Sequence, residues 1–108
     1  MTHPQLNEIL PLVVKELKRL YGKGLLEVRL FGSQARGEAG PDSDIDLLVV
    51  LRDEKVYISK EQDRFFPFKY KLEQRYNTLI QVIFTNQERL SNSRSPLYVG
   101  MREESQVV

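Results

Sequence analysis

The chain has 108 residues, 41% hydrophobic and 29% charged, with five prolines and a formal net charge of +1. That length supports one core but not two, and the near-balanced charge argues against a whole-protein field aimed at nucleic acid or an anionic membrane. The absence of cysteine excludes disulfides and a Cys-ligated zinc site; no apolar run reaches a membrane span and the start lacks a leader pattern, so the expected location is the cytoplasm.

Leu6, Ile9, Leu10, Val13, Leu17, Leu20 and Tyr21 recur at helical spacing, which predicts a first helix over residues 4–21. Thr2 with Gln5 fits a capping box, while Pro11 implies that the helix either kinks or begins there. Gly22 and Gly24 end it. His3, the only histidine, is expected at a frayed surface terminus without a chemical role. Leu26, Val28 and Leu30 alternate against Glu27 and Arg29, so a first strand is predicted over 25–30.

The run Phe31-Gly32-Ser33-Gln34-Ala35-Arg36-Gly37 follows. Gly32 permits close backbone approach, and Ser33 brings a hydroxyl and an N–H to the start of a short helix over 33–37. Free N–H groups and the helix dipole at such a start favour phosphate; an ordinary strand-to-helix turn with a serine cap is the alternative. Residues 38–42 read as a turn. Ser43-Asp44-Ile45-Asp46 then leads into Leu47-Leu48-Val49-Val50-Leu51, a strand predicted over 45–51. Side chains at i and i+2 leave one face, so Asp44 and Asp46 point together while Ile45 points away. Two adjacent carboxylates repel and resist desolvation, and a hard divalent cation relieves both effects. The alternative is an acidic turn after Gly40-Pro41 with Asp42 or Asp44 as a local cap. In combination, the glycine run and the carboxylate pair describe a site for a nucleoside triphosphate with Mg2+.

Arg52-Asp53-Glu54-Lys55 reads as a solvated exit loop. A second helical region is predicted over 59–76, with Ser59 and Gln62 as a capping box and Phe65, Phe66, Leu72 and Tyr76 facing inward. Pro67 should kink or split it. The basic-aromatic stretch Arg64 to Lys71 is read as core aromatics with snorkelling cations rather than nucleic-acid stacking residues, and some of its aromatics as a candidate partner surface. A third strand is predicted over 78–84, with Gln81 its only strongly polar side chain. Residues 87–90 form a possible short helix, 91–96 a loop, and the pattern of the remaining tail does not decide whether it packs on the core.

Gly32-Ser33-Gln34-Ala35-Arg36-Gly37 with Ser43-Asp44-Ile45-Asp46 resembles the Gly-Ser…Asp-x-Asp signature of the DNA polymerase β-like nucleotidyltransferase superfamily. The likeness is to its small stand-alone branch, the minimal nucleotidyltransferases, and covers Leu6 to Leu90. It implies an α/β (α+β) fold: a small mixed β-sheet of three or more strands with helices mainly on one face, in a single domain over 1–108. It further implies that Gly32, Ser33 and Arg36 bind the nucleotide, and that Asp44 and Asp46 are catalytic and carry Mg2+. The activity implied is Mg-dependent transfer of a nucleoside monophosphate, AMP from ATP in the first instance, to an acceptor hydroxyl. Minimal members commonly pair with a helical HEPN-class protein as the antitoxin of a toxin–antitoxin module, with a partner tyrosine as a candidate acceptor.

One departure stands out. Superfamily enzymes usually carry a third carboxylate on the third strand, yet no Asp or Glu lies between Asn77 and Gln87. An amide such as that of Gln81 cannot accept a proton as a carboxylate does. A second reading is therefore a weak or inactive nucleotide-binding subunit that acts by binding its partner. A Walker-type loop, a dinucleotide-binding glycine pattern and a Ca2+ loop all fail on specific residues: no lysine follows Gly32-Ser33, no Gly-x-Gly-x-x-Gly occurs, and Leu47 stands where a Ca2+ loop starting at Asp42 needs glycine.

Overall fold

The computed structural model describes residues 3–40 and 43–108. In chain order these form α1 (Leu6–Tyr21), a 3-10 turn (Gly22–Gly24), β1 (Leu25–Phe31), α2 (Gly32–Arg36), β2 (Ile45–Leu51), α3 (Ile58–Tyr76), β3 (Ile80–Asn86), α4 (Gln87–Asn92), α5 (Pro96–Glu104) and β4 (Gln106–Val107). The sheet order is β3-β2-β1-β4, with β2 parallel to β3 and antiparallel to β1. The chain is thus a mixed sheet with helices, as expected.

Strand periodicity divides the molecule into two layers. Ile45, Leu47, Val49 and Leu51 enter the larger core with Val28, Leu30, Ile80, Val82 and Phe84, where they meet Ile9, Val13 and Leu17 of α1 and Phe65 and Leu72 of α3. The alternate residues Leu48 and Val50 face the other way, onto Leu90 of α4 and Met101 of α5, with Phe31, Ile83 and Tyr98 around them. The two long helices therefore share one face, and the short α4 and α5 cover part of the other. The Thr85 and Tyr98 hydroxyls, 3.0 Å apart, tie α5 to β3, and the Arg102 guanidinium donates to the Leu90 and Ser93 carbonyls at 2.6 and 2.9 Å.

Several local expectations give way to packing. Pro11 and Pro67 lie inside continuous helices; buried faces on both sides of each proline offset the missing hydrogen bond. Ser59 and Gln62 form no capping box, because α3 begins at Ile58 without a side-chain cap and the Gln62 amide donates to the Val82 carbonyl at 2.5 Å. Thr2 lies outside the described residues. Phe65 is in the core as expected, whereas Phe66 is exposed and stacked on Tyr70 at 5.9 Å between ring centroids. The third strand starts two residues late because Asn77, at φ 48°, terminates α3 in the left-handed region and Glu73 accepts the Ile80 N–H at 2.9 Å. The tail packs back on the core as α5 and β4. Among the described residues, no helix is long and apolar enough to cross a membrane.

Candidate active site

The carboxylate pair lies where the C-terminal end of β1 meets the N-terminal end of β2. Antiparallel register sets Phe31 opposite Asp46, and parallel register sets Gln81 beside it. Asp46 shares its parity with Leu48 and Val50, so its side chain leaves the sheet on the α4/α5 face, as do those of Phe31 and Gln81.

Gly32 is required at this junction. Its φ is +72°, and a Cβ placed on it would stand 2.5 Å from Asp46 Oδ2. Any side chain there would strain the backbone and strike the carboxylate. Gly37, at φ 71°, closes α2, with its N–H donating to the Gln34 carbonyl at 3.3 Å. Phe31 rather than Ser33 occupies the N-cap of α2, and no side chain caps it. The serine-cap alternative is thereby overturned, and Ser33 lies in the first turn, where N–H groups have no partner within the helix.

Burial raises the pKa of the Asp46 carboxyl above its ordinary value; the neighbouring Asp44 charge adds to this, and Arg36 opposes it. The Asp44 carboxylate is oriented from β3, where Gln81 Nε2 donates to its Oδ2 at 3.1 Å. The recorded bond to this carboxylate thus crosses the sheet rather than closing a local turn. Arg36 is 44% exposed and pairs with Glu38 at 3.0 Å and with Glu104 of α5 at 3.6 Å. The predicted set Gly32, Ser33, Arg36, Asp44 and Asp46 is brought to one corner of the molecule.

Two residues of this corner escape local sequence reasoning. Gln34, only 2% exposed, accepts the His3 N–H on Oε1 at 2.8 Å. Its Nε2 donates to the Ser43 and Asp44 carbonyls at 3.4 and 3.3 Å. One amide therefore fastens the amino-terminal segment and the backbone of Asp44 to α2. His3 is correspondingly not a frayed surface residue: it is 5% exposed, and its Nδ1 accepts the Gln5 N–H at 3.1 Å. A terminal residue becomes ordered when it is tied down, as it is here.

The two carboxylates are oxygen donors of the kind a hard divalent cation takes. Among the described residues no group of three or more His, Cys, Asp or Glu could hold a metal ion. The half-buried, mutually repelling pair is the kind of site a hard cation would stabilise.

Comparison with known proteins bears on the family and the fold. The sequence pattern of the nucleotidyltransferase domain family matches residues 10–103. A Methanocaldococcus jannaschii protein described as a candidate protein adenylyltransferase is 42% identical over 53 residues, 49% of this chain and 36% of that protein. The protein adenylyltransferase MntA of Thermococcus cleftensis is 43% identical over 49 residues, 45% of this chain and 48% of its own. The matched stretches span about a third to a half of these curated relatives. Among solved structures, a toxin–antitoxin complex with AMP-PNP superposes with a TM-score of 0.61 at 20% identity, over 90% of this chain and 69% of that one. A candidate nucleotidyltransferase from Sulfolobus solfataricus superposes with a TM-score of 0.59 at 22% identity, over 94% and 79% respectively. At such identities the structural likeness speaks for the fold alone.

Proposed function

The chain belongs to the nucleotidyltransferase domain family, and on that footing we propose that residues 1–108 form a minimal domain that transfers AMP from ATP to an acceptor hydroxyl in the cytoplasm. The observation that carries this reading is the Asp46 carboxylate, two residues after Asp44, standing in the side-chain position of Gly32. The acceptor oxygen forms a bond to the α-phosphorus, the bond from that phosphorus to the bridging oxygen breaks, and pyrophosphate leaves.

Such chemistry asks the protein for positioning and charge neutralisation. Asp44 and Asp46 would hold Mg2+, which when bound neutralises developing charge on the phosphate oxygens. The backbone at Gly32 and Ser33 holds the triphosphate, and Arg36 supplies a cation at the rim. Gln81 donates to one Asp44 oxygen at 3.1 Å and would steady that carboxylate for the metal. Because an amide accepts no proton, the acceptor's proton leaves to water or to a base on the acceptor itself. A helical HEPN-type protein is the proposed partner and source of that acceptor. The names of the relatives support AMP transfer, and the toxin–antitoxin complex among the structural neighbours supports a protein partner.

The test is transfer of label from α-labelled ATP with Mg2+ to the product of the neighbouring gene. Label should move with wild type and fail to move with Asp44→Ala/Asp46→Ala. The second reading, neutralisation of the partner by binding alone, is favoured by Gln81 standing in register with Asp46 where a carboxylate is absent. It requires the double variant to neutralise the partner as well as wild type does.

A further inference from the structure

We propose that the chain carries an acceptor of its own, the Tyr70 hydroxyl, and adenylylates it within the same molecule. This rests on the AMP-transfer reading above and adds a modification site to it. In the sheet, Asp46 has Phe31 of β1 on one side, next to Gly32, and Gln81 of β3 on the other. Displacement at phosphorus sets the attacking and leaving oxygens in line, on opposite sides of the phosphorus. With the triphosphate held at Gly32 and Ser33, the acceptor oxygen therefore comes from the β3 side. A hollow of about 430 Å³ lies there, and Asp44 lines it together with Tyr70, Asn77, Thr78 and Leu79.

The hydroxyls of that hollow single out Tyr70. Among its lining residues only Tyr70 and Thr78 carry one, and the Thr78 oxygen is buried without a hydrogen-bond partner, out of reach of an incoming phosphate. Tyr70 is 51% exposed, and Phe66, one turn earlier on α3, stacks on its ring at 5.9 Å between centroids. Tyr70, Gln74 and Asn77 follow at helical spacing, so one stripe of α3 borders the hollow down to its C-cap. The other tyrosines are placed differently. The Tyr21 hydroxyl donates to Glu61 at 3.3 Å, that of Tyr98 lies 3.0 Å from the Thr85 hydroxyl, and Tyr76 is buried. Tyr57 is exposed but lines a separate hollow beside Leu51, at the opposite end of β2. In the step, Tyr70 Oη forms a bond to the α-phosphorus of ATP, the bond from that phosphorus to the bridging oxygen breaks, pyrophosphate leaves, and the phenolic proton passes to water. The product is a tyrosyl-AMP phosphodiester on the acceptor side of the site.

The test incubates the purified chain alone with α-labelled ATP and Mg2+ and maps the labelled residue by peptide mass spectrometry, with labelling of the neighbouring gene's product run in parallel. Wild type should take up AMP on Tyr70. Tyr70→Phe, which keeps the ring on Phe66, should lose that label, and Tyr57→Phe should keep it. A mixture of the Tyr70→Phe chain with the Asp44→Ala/Asp46→Ala chain should leave both unlabelled, because transfer stays within one molecule. Label on the double variant in that mixture overturns the proposal by showing transfer between molecules. Label that persists in Tyr70→Phe, or a wild type that labels the partner but not itself, also overturns it; in all three cases AMP transfer stands. A wild type that labels neither itself nor the partner removes the AMP-transfer reading, and the self-modification with it.

Discussion

The two faces of the central sheet solve opposite problems with one strand. On the α1/α3 face, β2 contributes Ile45, Leu47, Val49 and Leu51 to a core closed by two long helices. On the other face the same strand carries Asp46 at its entrance, with Leu48 and Val50 behind it, covered by helices of six and nine residues. The first face excludes water along its whole length. The second excludes it only behind the carboxylates, so a charged ligand can approach Asp44 and Asp46 while the strand beneath them stays fixed. On the proposed function, stability and chemistry are divided by the period-2 alternation of a single strand.

This division can be tested from each side. The largest effect is expected on the closed face, where Phe65→Ala should cost about 3–5 kcal/mol in denaturant unfolding, since Phe65 is buried between Phe68 and Phe84. On the open face, Asp44→Ala/Asp46→Ala should lower labelled-AMP transfer at least about a hundredfold, comparable to removing a key electrostatic stabiliser, without lowering the thermal midpoint. A loss of stability in that double variant would show the pair to be structural. Gln34→Ala crosses between the two effects. It leaves the His3 N–H and two carbonyls without their partner, for a cost of about 1–3 kcal/mol, and it should also weaken Mg-dependent ATP binding by displacing the Asp44 backbone; unchanged binding would confine Gln34 to a structural role.

The smallest effect is a slope with pH. Burial and then Asp44 raise the Asp46 pKa in the folded state, so the native protein holds this proton more firmly than the unfolded chain does. Metal-free protein should therefore lose stability as pH rises from about 4, near the unfolded carboxylate value, through the raised pKa. Thermal midpoints in chelator should decline across that window, and Asp46→Asn should flatten the decline.

Much of this arrangement was legible because it is local. The apolar run after Asp44 and Asp46 specified β2, and the Gly-Ser turn announced where β1 would end. What escaped depends on residues distant in sequence. Gln34 looks like any polar residue in a short helix, and its importance comes from His3 and Asp44, far from it along the chain. The capping box at Ser59 was plausible until the Val82 carbonyl claimed Gln62. The helix α5 buries only Met101 among its nine residues, too little for periodicity to reveal, and β4 owes its two residues to pairing with Arg29 and Leu30.

The mixed pairing of β2 also implies an order of events as the chain is made. Its antiparallel neighbour β1 is separated from it only by residues 32–44, whereas its parallel neighbour β3 is reached only after the whole of α3. Closing the shorter connection costs less chain entropy, and distant parallel pairing is the slower step. A nascent chain that has not yet delivered β3 therefore holds both carboxylates on an unpaired edge, with the Gln81 amide still to come. Until then the strand proposed to bear the chemistry presents an unpaired edge open to the wrong neighbour.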